Sequence, residues 1–284
     1  MVLLGWWERA RRDLPWRRTR DPWAVLVSEL MLQQTQAPRV ASRLGAFVAR
    51  FPTPAACAGA GPGEVVAAWA GLGYNRRAIS LHRTAVLIVE RHGGHVPADL
   101  ASLVALPGVG PYTARAVQVF AFGQAVGVVE TNTARVLARA VAGRRLVAEE
   151  AQALADRLAR AERPWEWNQA LVDLGALVCL SGDPACAECP LSAGICSWQR
   201  AGRPSPDPAR GSAGVGGRQS RFMGSDRQGR GRLVAAARRG RVTAAEVALA
   251  AGWPEQPDRA IRVADQLVAE GLLRRDAEGA LGLP

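Results

Sequence analysis

The chain has 284 residues, 49% hydrophobic and 21% charged, a composition that suits one large or two ordinary globular domains and excludes a disordered or collagen-like chain. It carries 36 basic against 25 acidic side chains, and every basic one is arginine. With no lysine, Schiff-base chemistry, pyridoxal-phosphate anchoring and a Walker-type phosphate lysine are excluded.

From the start of the chain, Met1 to Trp7 is apolar but too short for a secretion signal, and no run approaches the roughly 20 apolar residues of a membrane span. The expectation is a soluble protein of a reducing cytoplasm, nucleoid-associated if bacterial. Helical spacing of Ala, Leu, Val and Arg predicts helices over 22–50, 63–70, 76–92, 99–105, 112–122, 132–142, 148–160 and 165–180. Gly and Pro punctuate between them, and no alternating strand pattern occurs before residue 270, so the fold class is all-α. Within this series, Leu106-Pro107-Gly108-Val109-Gly110-Pro111 predicts a tight turn between two helices. Backbone N–H groups of Gly108, Val109 and Gly110, at the start of the second helix, are expected to offer an anion site suited to a DNA phosphate. An ordinary helical hairpin has the same local pattern.

Four of the five cysteines fall within eighteen residues as C-x6-C-x2-C-x6-C: Cys179, Cys186, Cys189 and Cys196. A disulfide framework is not expected in a reducing compartment, and four thiolates in one loop suit either zinc or a [4Fe–4S] cluster. Only one C-x2-C knuckle is present, which leans towards iron–sulfur without excluding zinc. Cys57, alone in an Ala-rich stretch, reads as a small buried hydrophobe. His82, His92 and His95 have no metal-ligand pattern.

Beyond residue 199 the charge changes character. Residues 200–241 hold eleven Arg against two acidic side chains, in a Gly-, Ser- and Pro-rich context. This stretch reads as a basic linker, either a solubilising tether or, the favoured reading, a phosphate-contacting arm. Residues 232–239, 243–250 and 257–270 predict three short helices, and 272–283 a β-wing, together a small winged-helix-like module, net acidic over residues 242–284.

The hairpin, the cysteine loop and Ser28-Glu29-Leu30-Met31-Leu32-Gln33-Gln34-Thr35-Gln36 together resemble the helix-hairpin-helix DNA glycosylases, and within them the adenine DNA glycosylase (MutY) family. Leu14-Pro15-Trp16, Gly71-Leu72-Gly73-Tyr74, Asn168-Gln169-Ala170 and Asp173-Leu174-Gly175 match as well, so the likeness spans about residues 6–198. The resemblance implies a two-lobed fold: residues 1–20 with 131–199 form a lobe bearing the cysteine loop, and 21–130 a helical barrel lobe. The linker over 200–230 and the module over 231–284 follow. It also implies a [4Fe–4S] cluster, double-stranded DNA with a mismatched or oxidised base as partner, and a monomer. The family's last cysteine spacing is usually C-x5-C; here one more residue precedes Cys196. No trace of the β-rich Nudix-like domain that many relatives carry is found.

Cleaving adenine from its sugar calls for a proton on the leaving base and negative charge beside the sugar cation. Glu29 lies in an otherwise uncharged run from Trp23 to Ala37, where burial would favour its protonated, proton-donating form. By resemblance Glu29 is the general acid, and the second carboxylate is Glu130, where the family has aspartate. Three readings of that exchange stand open: a working stabiliser with altered reach, a retuned enzyme, or a crippled one. Glutamate is also a poorer helix cap than aspartate, so the cap is expected to pass to Thr131. Asn132 is expected to orient the carboxylate or substrate. Tyr112 stands where the related endonuclease III has its lysine nucleophile, which implies a monofunctional enzyme without amine-driven lyase chemistry. Gln34 and Tyr74 are the implied wedge residues for the gap left by an extruded base, Tyr74 stacking at the lesion partner, with Asn75 where a second tyrosine is common. The reading is an adenine DNA glycosylase acting opposite 8-oxoguanine or guanine. Alternatives are a mismatch thymine or uracil glycosylase, and a lesion-binding protein that has lost catalysis.

Overall fold

The computed structural model describes residues 2–192, 194–212 and 221–284. In chain order the helices are α1 (Val2–Ala10), α2 (Pro22–Leu32), α3 (Ala37–Arg50), α4 (Pro54–Gly59), α5 (Pro62–Ala68), α6 (Arg76–His92), α7 (Leu100–Val104) and α8 (Pro111–Phe120). They continue with α9 (Thr131–Val136), α10 (Ala148–Leu158), α11 (Pro164–Leu177), α12 (Ser197–Arg200), α13 (Asp226–Arg239), α14 (Val247–Ala251) and α15 (Pro257–Ala269). The short strands β1 (Arg274–Arg275) and β2 (Leu281–Gly282) pair antiparallel, Arg275 opposite Leu281. The class is all-α, as expected, and no described helix is long and apolar enough to cross a membrane.

Three departures from the predicted elements have local causes. The helix predicted over 22–50 is two, because Gln34 adopts a left-handed φ of 54° and the chain restarts with Pro38 in the first turn of α3. Helix α1 escapes periodicity analysis because it is only nine residues long, yet it buries Leu3, Leu4 and Trp7. Helix α13 begins six residues before the predicted start, its first turn capped by the Ser225 side chain accepting from the Gln228 N–H.

The chain forms two compact units. The first comprises Met1–Pro22, Ala98–Leu100 and Gly110–Arg218. Its core gathers Leu3, Leu4, Trp7, Val136, Leu171 and Leu174. The wholly buried Asp173 on α11 ties the N-terminal segment down, accepting from Trp7 Nε1 at 2.9 Å, Arg12 Nε at 2.6 Å and Arg17 Nη1 at 2.7 Å. Burial alone would raise its carboxyl, but Arg17 and Arg12 outweigh burial and hold it below the usual carboxylate range. The start of the basic stretch is not a free tether. Trp198 Nε1 donates to the Pro204 carbonyl at 2.9 Å, Asp207 Oδ1 accepts from the buried Arg139 at 2.9 Å, and Ser212 Oγ accepts from the Leu146 N–H at 3.1 Å. Residues 213–220 of that stretch lie outside the described residues.

The second unit comprises Trp23–Pro97, Ala101–Val109 and Gln219–Pro284. Leu26, Leu30, Val40, Phe47, Trp69 and Ile88 lie at its centre, with Phe47 edge-on to Trp69 at 5.7 Å. The winged-helix-like module belongs to this unit: α13, α14 and α15 bury Leu233, Val247 and Val263, and Val242 bridges to Leu281 of β2.

Candidate functional site

In the first unit, Glu130 immediately precedes α9 with an extended backbone, and that extension lets its longer side chain curl back over the helix start. Its Oε1 accepts from the Thr133 N–H at 2.9 Å, so Glu130 itself caps α9 and the cap does not pass to Thr131. Its Oε2 accepts from Asn132 Nδ2 at 3.1 Å. Burial pushes the Glu130 carboxyl above the ordinary range, against the opposing pull of the Asn132 and Thr133 N–H groups and the charge of Arg135.

Behind this cap stands a residue that the sequence did not single out. Arg135 is 4% exposed and donates from Nη2 to Asn132 Oδ1 at 2.8 Å and to the Gly175 carbonyl at 2.5 Å, and from Nε to the Cys179 carbonyl at 2.5 Å. Asn132 is thereby held from both ends, and the carboxylate of Glu130 is linked through two side chains to the first cysteine of the loop. The approach of α11 to α9 requires glycine at 175, since a Cβ there would lie 2.6 Å from Asn132 Cβ. Asn168, from another matched stretch, accepts the Val128 N–H at 2.9 Å and fixes the chain just before Glu130.

The four clustered cysteines line one narrow cavity of about 20 Å³ together with Val136, Leu174 and Trp198. With the extra residue before it, Cys196 still lines the same cavity as the other three, though among the described residues no three of them converge on one point. Arg139, 1% exposed, donates from Nη1 to Cys179 Sγ at 3.5 Å and to the Leu180 carbonyl at 2.6 Å, and stacks over Trp198. It lies on a wider, π-type turn over Leu137–Ala142 that continues α9. Cys57 is apart from this group in the second unit, and burial pushes its thiol up to about 12.

In the second unit, Glu29 sits within α2 at 3% exposure, on a helix whose Leu26, Leu30 and Met31 are wholly buried. Gln34 and Tyr74, the implied wedge residues, have left-handed backbones, with φ of 54° and 44°. Residues other than glycine rarely hold that conformation unless the surroundings enforce it. Arg77 does so here. Its buried guanidinium donates to the carbonyls of Leu30 (2.8 Å), Met31 (2.7 Å) and Gln33 (2.6 Å) on one side, and of Leu72 (3.3 Å) and Gly73 (3.0 Å) on the other. Burial brings Arg77 down to about 10, so it remains charged at neutral pH. One cation thus fixes both the loop bearing Gln34 and the loop bearing Tyr74.

The hairpin turn closes by a Val109 N–H bond to the Leu106 carbonyl at 3.1 Å, and the Val109 side chain is buried. That N–H is spent within the turn and does not face outward as expected. Gly108 has a φ of 79° and packs where a Cβ would meet Ser80 Cβ at 2.9 Å; its carbonyl accepts from Gln33 Nε2 at 3.0 Å. Gly110 precedes α8, whose second residue is the half-buried Tyr112.

Residues 27–160 match the HhH-GPD superfamily of base excision DNA repair proteins. The chain is 43% identical to the adenine DNA glycosylase of Mycobacterium tuberculosis, across 99% of its own length and 92% of that protein. It is also 43% identical to the adenine DNA glycosylase of Homo sapiens, across 66% of its own length and 37% of that protein. Among solved structures, that of a thermostable thymine-DNA glycosylase is similar, with a TM-score of 0.65 and 29% identity over 70% of this chain and 94% of that one.

Proposed function

The chain belongs to the adenine DNA glycosylase family, and on that footing we propose that it removes adenine mispaired with 8-oxoguanine or guanine, leaving an abasic site in double-stranded DNA. The observation that carries this reading is the Glu130 carboxylate, fixed at the N-terminus of α9 by the Thr133 N–H and by Asn132. Glu29 protonates the departing adenine as its bond to C1′ breaks, and water then adds at C1′ and returns a proton to the Glu29 carboxylate. Glu130 stabilises the cation that develops on the sugar between those events. An ionised carboxylate in a half-buried setting is poorly solvated, so a cation forming beside it relieves a cost already present in the ground state. Because the chain has no lysine, and Tyr112 carries no amine, base release proceeds by hydrolysis without a lyase step. Gln34 and Tyr74 fill the space left by the extruded adenine, with Gly108 and Gly110 of the hairpin turn against the DNA backbone. The protein acts as a monomer.

Cys179, Cys186, Cys189 and Cys196 are the ligands we assign to a [4Fe–4S] cluster. Four thiols around one cavity support a multi-iron cluster, and Arg139 at Cys179 Sγ supplies positive charge against the thiolates. When bound, the cluster supplies a redox-active crosslink of the 179–196 loop.

The likeness to a thymine-DNA glycosylase keeps mismatch thymine or uracil excision as the second reading. Single-turnover base release from duplexes holding A opposite 8-oxoguanine, A·G, T·G and U·G separates the two. Adenine release alone establishes the first reading. Thymine or uracil release replaces it with the second, and tight binding without any release identifies a lesion-binding protein.

A further inference from the structure

Helix α13 of the C-terminal module runs beside the segment that presents Tyr74, and touches it near both ends. Close to its start, Arg227 donates from Nη1 to the Tyr74 hydroxyl at 3.0 Å, its guanidinium carbon 5.8 Å from the centre of the tyrosine ring. Near its end, Arg238 donates from Nη2 to the Val66 carbonyl at 2.6 Å and to Asn75 Oδ1 at 3.1 Å. Between them, Arg230 of α13 and Arg76 of α6 both pair with Glu270, which follows α15. The module is therefore seated on the tyrosine loop by bonds on both sides of Tyr74 in the sequence.

The two halves of Tyr74 are held by different parts of the chain. Its left-handed backbone is fixed from within, by Arg77 and by Trp69 Nε1 bonded to the Gly73 carbonyl at 3.2 Å. The residue is 36% exposed, and its ring is met at the hydroxyl by the module. A ring pivoting about two side-chain bonds sweeps its hydroxyl through several ångströms, so a cation anchored on a separate helix restricts the direction in which the ring stacks. Arg227 in turn lies 5.2 Å from the ring of Phe222, which, like Met223, is largely exposed.

We propose that Arg227 is a positioning residue that sets the stacking angle of Tyr74, and thereby the discrimination between 8-oxoguanine and guanine opposite the adenine. This rests on the reading that Tyr74 stacks at the lesion partner. It gives the C-terminal module a part in lesion reading, through a side chain of the catalytic body rather than through a pocket of its own.

The test is the ratio of single-turnover adenine release from A·8-oxoguanine over A·G duplexes, measured for the full chain and for Arg227→Ala, Tyr74→Phe and the double variant. Each single change should lower the ratio about fivefold, and the double change no further, because both remove one and the same hydrogen bond. The affinity ratio for duplexes carrying a non-cleavable adenine analogue should move in parallel. Tyr74→Phe removes only a half-exposed hydroxyl, so it decides the matter even if Arg227→Ala fails to fold. An unchanged ratio in Tyr74→Phe, or additive losses in the double variant, overturns the proposal. Tyr74→Ala separates the two levels: a shift there with none in Arg227→Ala or Tyr74→Phe removes Arg227 alone. No shift in Tyr74→Ala removes the stacking reading and this inference with it.

Discussion

Asn132 Nδ2 donates to Glu130 Oε2 at 3.1 Å, and Asn132 Oδ1 accepts from Arg135 at 2.8 Å, so one amide orients the carboxylate while itself oriented by a buried cation. This arrangement answers the extra methylene of glutamate. The longer side chain folds back to cap α9, and its reach is absorbed by the helix terminus. Glu130→Gln, nearly isosteric and still able to accept from Thr133, should lower single-turnover adenine release on the order of a hundredfold or more through loss of the negative charge. Glu130→Asp should stay within about tenfold of the parent. A Gln variant at full rate removes Glu130 from the chemistry.

The same carboxyl predicts opposite trends for activity and stability with pH. Burial raises it above the ordinary glutamate range, so the ionised form needed beside the sugar cation is lost as pH falls through that raised value. Release rates should therefore drop on the acid side at a pH above that of an unperturbed glutamate. For stability the sign reverses. A folded-state value above the unfolded one favours the protonated native state, and that contribution disappears as pH rises through the raised value. Glu130→Gln, which cannot ionise, should melt higher than the parent at neutral pH, and the two should converge in acid. Thermal unfolding at both pH values checks this; a Gln variant that melts lower at neutral pH contradicts it.

Arg135 is the second test of the same assembly. Its guanidinium, on a residue only 4% exposed, satisfies Asn132 Oδ1 and the carbonyls of Gly175 and Cys179. Arg135→Met would leave these acceptors unmet, and a loss of about 3 kcal/mol in unfolding free energy is expected by denaturant titration. The release rate should fall as well, because Asn132 loses its anchor. Equal stability in the Met variant would mean that the bonds to Arg135 are replaced by water at no cost.

What the sequence made legible, and what it hid, follows from how each feature is encoded. The all-helical class was visible because apolar spacing repeats over long segments. Gln34 and Tyr74, the proposed wedge residues, were visible only through motif likeness, yet both coincide with left-handed backbones that no periodicity reveals. Arg77, Arg135 and Arg139 stayed hidden for a specific reason. In a chain whose every basic residue is arginine, a buried structural cation has the same letter as a solvated one, and only the fold tells them apart. The cap at Glu130 ran against expectation because general preferences weigh side-chain length, whereas here an extended backbone brings the longer carboxylate back to the Thr133 N–H.

The cysteine cavity makes a prediction independent of activity. Purified protein should be brown, with a visible iron–sulfur band and iron bound. Cys186→Ser should bleach that band and lower the iron content, since Cys186 is one of four thiols on the cavity wall. Losing the crosslink should also lower thermal stability, because the 179–196 loop is otherwise held by few regular elements. A colourless, zinc-replete and active protein would overturn the assignment.

The basic stretch after residue 199 predicts a salt dependence. Eleven arginines against two acidic residues over 200–241 hold most of the chain's net positive charge. Some of these cations are already engaged: Arg227, Arg230, Arg238 and Arg241 bond within the second unit. Arg200, Arg210 and Arg221, together with Arg218, which lies outside the described residues, are the candidates for binding phosphate. Changing those four to Gln should weaken binding to any duplex sequence alike. It should also flatten the slope of log affinity against log salt by about 0.9 for each phosphate no longer neutralised, up to about 3.6 in all. The ratio between A·8-oxoguanine and A·G should hold, because bonds to phosphate carry no base information. A slope that does not change would leave the stretch as a tether, with DNA held by the helical body alone.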